Sequence, residues 1–227
     1  MALILSLETA TACCSVALSE NDSIISYKEE TSPNIHAGSL TLFIEEVMKT
    51  PGKQLTDVDA IAVSMGPGSY TGLRIGVSTA KGLCYSLDKP LIAVNTLKAM
   101  AKGFQLTINS NKTTLLCPMI DARRMEVFTA IFDQQLDEVI PTSAVIIDAS
   151  SFSDILNDKQ ITFFGNGAEK CSSILTSTHA LFDNGSYNSA RFIAPLAFEK
   201  FLRNEFENVA YFEPFYLKDF VSTQPKK

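Results

Sequence analysis

Residues 58–85, VDAIAVSMGPGSYTGLRIGVSTAKGLCY, decide the fold. Ile61-Ala62-Val63, ending near Met65, is a short apolar run of the kind that makes a buried strand. Gly66-Pro67-Gly68 stops that strand and turns the chain, and Ser69 is a good N-cap for a helix starting at Tyr70. From Tyr70 to about Leu87 the periodicity is helical, with Leu73, Val77, Ala80 and Cys84 near one stripe. Gly72, Gly76 and Ala80 recur every four residues and make a second, nearly flat stripe. Each helical glycine costs roughly 1 kcal/mol against alanine, so something must approach this helix axis closely. Two readings stay open: an anion at the helix N-terminus, or tight packing inside the fold or against another chain. The stretch does not match GxxxxGK[ST] and has no lysine where a P-loop needs one.

Outward from this stretch, Leu3-Ile4-Leu5 with Leu7, then Cys14–Leu18, then Ile24–Lys28 read as a meander of three strands. His36 to about Lys49 is an amphipathic helix on Leu40, Phe43, Ile44, Val47 and Met48. After the helix 70–87, Leu91–Val94 is a fifth strand. Three strands, then helix, strand, helix, strand is the RNase H-like order. A helix over 96–108 leads to Asn109-Ser110-Asn111, the best linker. Strands at 113–120, 126–132 and 139–147, a helical Phe152–Leu156, a strand Ile161–Phe164, a helix 168–176 and a last helix 187–204 complete the second half. The aromatic, extended stretch Tyr211–Leu217 is expected to pack back on the body.

The chain has 227 residues, 46% of them hydrophobic, and a formal charge of −6. Nucleic-acid affinity comes from cations facing phosphates, and the densest basic clusters here are Arg123-Arg124 and Lys226-Lys227, so a strong grip on RNA by the chain alone is not expected. Cys13, Cys14, Cys84, Cys117 and Cys171 include no CxxC pair, which reads as buried, reduced thiols in a cytosol. The start MALILSLETATACC lacks a positive region and carries Glu8, against a secretory signal. No apolar run reaches the roughly 18 residues that span a bilayer.

GPGSYTGLRIG followed by AKGL, with ILSLETAT at the start, DARRMEVF at 121–128, GNGA at 165–168 and PFYLK at 214–218, resembles the TsaD/TsaB family of ASKHA-fold proteins, on its TsaB (YeaZ) side. The usual form has Phe at the place of Tyr70. The resemblance implies an α/β chain of two RNase H-like lobes, each a mixed five-stranded sheet flanked by helices. Residues 1–108 would be the first lobe, and 109–227 the smaller second lobe, whose last helix and tail pack back on the body.

It further implies a non-catalytic, cytoplasmic subunit that binds TsaD, with TsaE, for threonylcarbamoyladenosine at position 37 of tRNAs reading ANN codons. Such a subunit is a homodimer when alone, meets tRNA through the complex and does not associate with membranes. The catalytic relative carries His-x-x-x-His on the helix after the fifth strand; those positions fall here on Thr96 and Met100, poor ligands for a hard cation. The alternative is an ASKHA-type enzyme, a glycoprotease-like metallopeptidase or a small-molecule kinase.

Kinases of this fold carry Asp-x-Gly in the first hairpin, where this chain has Glu8-Thr9-Ala10, and Ala10 has a Cβ where phosphate would approach. Glu8 and Thr9 with Gly165 and Gly167 are the candidate remnants of a nucleotide site, which would hold nucleotide weakly between the lobes; no resident cofactor is expected. Glu8 reads equally well as a strand-end carboxylate held by turn amides, and Gly165-Asn166-Gly167 as a plain turn. His36 reads as a solvent-facing residue at a helix start, the alternative being a lone acid-base or metal residue beside a loop. Asp121, Arg123 and Glu126 read as a solvated hairpin turn with a local ion pair, the alternative being a charged site. The expected partner surface joins the stripe Gly72, Gly76 and Ala80 to Ser39, Leu42 and Glu46 on the helix 36–49. Its alternative has the stripe facing the lobe's own sheet.

Overall fold

The computed structural model describes residues 1–32, 35–108 and 114–218. β1 (Leu3–Glu8), β2 (Cys13–Glu20) and β3 (Ser23–Thr31) form the meander, antiparallel throughout. α1 (His36–Lys49) then leads to β4 (Ala60–Gly66), which lies parallel to β1. α2 (Tyr70–Leu87) leads to β5 (Leu91–Asn95), parallel to β4. The sheet order is β3-β2-β1-β4-β5.

Register decides which side chains meet which helices. Leu5 stands opposite Ile61 and Leu7 opposite Val63, and the pleat sends all four to one face. There they join Leu40, Phe43, Ile44 and Val47 of α1 and Val77, Ala80 and Cys84 of α2 in one core. Ile4, Ala60 and Ala62 point to the other face, where small side chains let helices come close. That face meets α3 (Thr96–Thr107) and α5 (Ala190–Leu202).

The second sheet repeats the plan. β6 (Leu115–Asp121), β7 (Glu126–Phe132) and β8 (Glu138–Ile146) are antiparallel neighbours. β9 (Ile161–Phe164) lies parallel to β6, and β10 (Ala180–Asp183) parallel to β9. The order β10-β9-β6-β7-β8 is that of the first sheet. α3 and α5 lie between the two sheets, so Ile4, Ile92, Leu97, Phe104, Phe132, Phe164 and Ile193 share one core. Phe104 stacks on Phe164 at 4.6 Å between ring centroids, with Tyr187 edge-on to both.

Three expectations change. The helix over 168–176 is a single 3-10 turn, Glu169–Cys171, because Ser172 turns its hydroxyl back onto the Glu169 carbonyl and competes with helix continuation. β10 comes after it, a strand the sequence pattern does not announce. The last helix is shorter than 187–204: Ser189 caps it by accepting the Arg191 N–H. α4 (Ser153–Leu156) is a single turn in the expected place. The linker Asn109-Ser110-Asn111 lies outside the described residues. After α5 the chain returns along the first lobe, with Glu207 N–H bonded to the Leu91 carbonyl and Phe215 N–H to that of Met65. Among the described residues no helix is long and apolar enough to cross a membrane.

Candidate interlobe cleft and partner face

A cavity of about 760 Å³ opens between the lobes. Its walls are the β1–β2 turn, the first residues of α1, the 68–72 loop and start of α2, the β6–β7 turn and residues 215–218.

The β1–β2 turn is closed by the chain's own atoms. Glu8 is 1% exposed; its carboxylate accepts the Ala10 N–H at 2.6 Å and the Ser64 hydroxyl at 3.0 Å. Burial pushes the Glu8 carboxyl up to about 7, against the lowering effect of those hydrogen bonds. The Ala10 carbonyl in turn accepts the Ser69 N–H at 2.7 Å. A phosphate cradle needs such amides free and a Cβ-free approach. Here two of them are spent internally, and Thr9 is buried under α2, so these residues do not fit a nucleotide phosphate.

Across the cleft, Gly165 and Gly167 do not face a ligand either. A Cβ at Gly165 would stand 2.5 Å from the Met119 carbonyl oxygen, and one at Gly167 would stand 2.9 Å from the Ile120 carbonyl carbon. Both glycines seat the turn against β6. The four remnant positions therefore lie in two packed joints. Asp121 and Glu126 pair outside their turn, Asp121 with Lys170 and Glu126 with Lys218, so the expected local ion pair is replaced by two long-range ones. Arg123 and Arg124 both adopt left-handed backbone, φ 72° and 50°, at the hairpin tip.

His36 also departs from expectation. It is 7% exposed, and its Nε2–H donates to the Thr11 carbonyl at 2.7 Å. Its Nδ1 is buried without a hydrogen-bond partner among the described residues. The imidazole ties the start of α1 to the β1–β2 turn instead of meeting solvent.

The small-residue stripe faces inward. Thr9 Oγ donates to the Gly72 carbonyl at 2.8 Å, clasping the turn to α2. A Cβ at Gly72 would stand 2.1 Å from the Thr9 carbonyl oxygen, and one at Gly76 would stand 2.2 Å from Thr9 Oγ. Ala80 is fully buried in the core under α1. Gly72, Gly76 and Ala80 thus form no groove for another chain: Thr9 is the neighbour that needs the two glycines, and Ala80 is taken up by the core. The two stripes on α2 are adjacent and merge into one buried face, set between the β1–β2 turn and α1. On α1, Leu42 is 61% exposed, Ser39 is half-buried, and Glu46 is exposed and paired with Lys28. Beside them, Ile44, Met48, Leu55 and Leu83 line an apolar hollow of about 490 Å³ between α1 and α2.

The family profile for TsaD, tRNA N6-adenosine threonylcarbamoyltransferase, matches residues 29–223. The chain belongs to the TsaD family, in its TsaB (YeaZ) branch. It is 40% identical over 135 residues to the tRNA threonylcarbamoyladenosine biosynthesis protein TsaB of Escherichia coli, a match covering 60% of this chain and 56% of that one. With TsaB of Bacillus subtilis it shares 29% identity, covering 72% and 70% of the two chains. The match thus spans little more than half the length of the Escherichia coli relative. The YeaZ structure from Pseudomonas aeruginosa superposes with a TM-score of 0.79 at 26% identity, covering 96% of this chain and all of that one.

Within the TsaD family, the two positions that the resemblance assigns to the metal-binding pair are core residues here. Thr96 is fully buried and its hydroxyl accepts the Gly66 N–H at 3.2 Å. Met100 is 1% exposed and packs against Gly165 of the other lobe. These side chains do not fit a divalent cation. The hollow between α1 and α2 is missed by sequence reasoning. Its signal is faint: Ile44 and Met48 read as ordinary core positions, and the segment at 52–55 that helps line the hollow has no periodicity.

Proposed function

We propose that this chain is a non-catalytic partner subunit for the formation of threonylcarbamoyladenosine at position 37 of tRNAs reading ANN codons. It acts in the cytoplasm, pairs with TsaD and takes TsaE onto that pair. Alone it forms a homodimer, and tRNA meets it through the complex. One observation carries the reading: where the catalytic relative has its metal ligands, Thr96 and Met100 are locked in the core. The metallopeptidase alternative needs that pair, and the kinase alternative needs the turn amides that Glu8 and Ala10 already occupy.

The partner face in this reading is the exposed side of α1 and α2. It keeps Ser39, Leu42 and Glu46, loses the inward stripe and gains the hollow lined by Met48 and Leu83. The lobes divide at 1–108 and 109–227, with α5 and residues 206–215 of the second segment serving the first lobe. The formal charge of −6 supports indirect contact with RNA.

The test is threonylcarbamoyl transfer to tRNA with all other components supplied. Omitting this chain should abolish or sharply reduce product. Omitting TsaD while supplying this chain should give none, and robust product there would overturn the reading. Binding of tRNA by the chain alone should be weak and fall steeply with salt; sub-micromolar binding at physiological salt would contradict the account.

A further inference from the structure

Residues 206–218 form a strap with no helix or strand of its own. Most of it is fastened to the first lobe. Glu207 bonds the edge of β5; Lys81 Nζ on α2 donates to the Ala210 and Phe212 carbonyls at 3.2 and 2.8 Å; Phe215 N–H donates to the Met65 carbonyl at 2.7 Å. Phe212 adds its ring to the core under α2. Beyond Phe215 the contacts change character. The Tyr216 ring lies 4.7 Å from that of Tyr70 at the start of α2. Lys218 then leaves the first lobe, pairing with Glu126 on β7 and standing over Phe128 at 6.0 Å. The Lys218 side chain is 43% exposed and that of Glu126 22% exposed. Residues 215–218 also form one wall of the interlobe cavity.

From this arrangement we infer that Tyr216–Lys218 are a latch on the cleft. Closed, they tie a strap anchored on the first lobe to β7 of the second and shut one side of the cavity. Released, they leave the strap fastened as far as Phe215 and open that side. The asymmetry of the two fastenings sets which one yields. Anchoring up to Phe215 uses backbone hydrogen bonds, two bonds from Lys81 to carbonyls and the half-buried Phe212 ring, and the backbone bonds and ring packing are little affected by salt. The crossing to the second lobe uses a half-exposed ion pair, which is weak and screened by salt. Such a joint is the one to break first when the cleft opens. The latch stands independently of the proposed function, since it governs access to the cavity and not what pairs with α1.

All five native cysteines are buried, so an introduced thiol can report on access. Ile120 lines the cavity and is 3% exposed. In an Ile120→Cys background, alkylation by a small maleimide should be about twofold to fivefold faster with Lys218→Ala or Glu126→Gln, the range expected for losing a surface pair. Raising salt from about 0.05 to 0.5 M should speed the parent and leave both variants unchanged. The exchanged pair Lys218→Glu with Glu126→Lys should restore the slow rate. Amide exchange on the same proteins should rise at 216–218 and 121–128 and stay level elsewhere. Equal rates in parent and variants, a swap as fast as the single changes, or exchange rising uniformly over the chain would each overturn the latch.

Discussion

The two lobes share one strand order and differ in what covers it. In the first, the crossover after β4 is the 18-residue α2, laid across the β1–β2 turn. In the second, the crossover after β9 is a 3-10 turn of three residues. The consequence appears at the two hairpin turns that face each other over the cleft. The first is buried apart from Ala12 and uncharged except for Glu8, and its polar groups are met by α1, α2 and the 66–69 loop. The second is exposed, carries Arg123 and Arg124 at its tip, and is held from outside by Lys170 and Lys218. One topology thus yields a sealed turn with two long helices behind it and an open turn with almost none. In the proposed function, partner recognition falls to the first lobe because a long helix pair there leaves an outer face.

The sharpest way to break this comparison is to force α2 off the sealed turn. Gly72→Ala drives a Cβ into the Thr9 carbonyl, a backbone atom that cannot rotate away, and Gly76→Leu overfills the space at Thr9 Oγ. Each is expected to destabilise the fold by about 3 kcal/mol or more, at the upper end of overpacking costs. Urea titration measures this. A Gly76→Leu protein as stable as the parent would return the stripe to the surface.

Next in size is the pH response of the sealed turn. The folded pKa of Glu8, about 7, lies above its ordinary value of 4.5. Between those values the folded state keeps a proton that the unfolded chain has lost, so stability falls as pH rises from 4.5 to 7. The full loss above pH 7 is on the order of 3 kcal/mol. Glu8→Gln should flatten this part of the melting-temperature curve between about pH 5 and 8. Parallel curves for parent and variant would show that Glu8 does not carry it.

Much of the first lobe is legible in the chain itself. The apolar runs at 3–7 and 60–65 and the 3.6-residue period of 36–49 and 70–87 specify it, since both are local signals. The second lobe is harder because its crossovers are too short for a period to show, hence the missed β10 and the overlong 168–176 helix. At the site, the cost of Gly72 and Gly76 correctly signals close approach but not its direction. Direction depends on Thr9, which hydrogen-bonds Gly72 from 63 residues away, and no spacing within α2 contains it. The burial of His36 is hidden for the same reason: it comes from the Thr11 carbonyl on another element.

A smaller effect sharpens the contrast within α2. A Cβ at Gly82 would meet nothing within 4 Å among the described residues. Gly82→Ala should stabilise the protein by about 0.5–1 kcal/mol through helix propensity and the unfolded chain, the opposite sign to Gly72 in the same helix. A loss of stability there would mean that the outer face of α2 is packed as tightly as the inner one.

Smallest in stability, and most direct as a test, is Leu42→Glu. Leu42 is 61% exposed on α1, so the change should leave stability to urea within about 0.5 kcal/mol of the parent. The measurement is co-elution of the parent and the variant with the TsaD from the same genome on one sizing column. A stable complex is expected for the parent and separate peaks for a fully folded Leu42→Glu. A folded variant that co-elutes as the parent does, or a parent that never joins TsaD, would contradict that expectation.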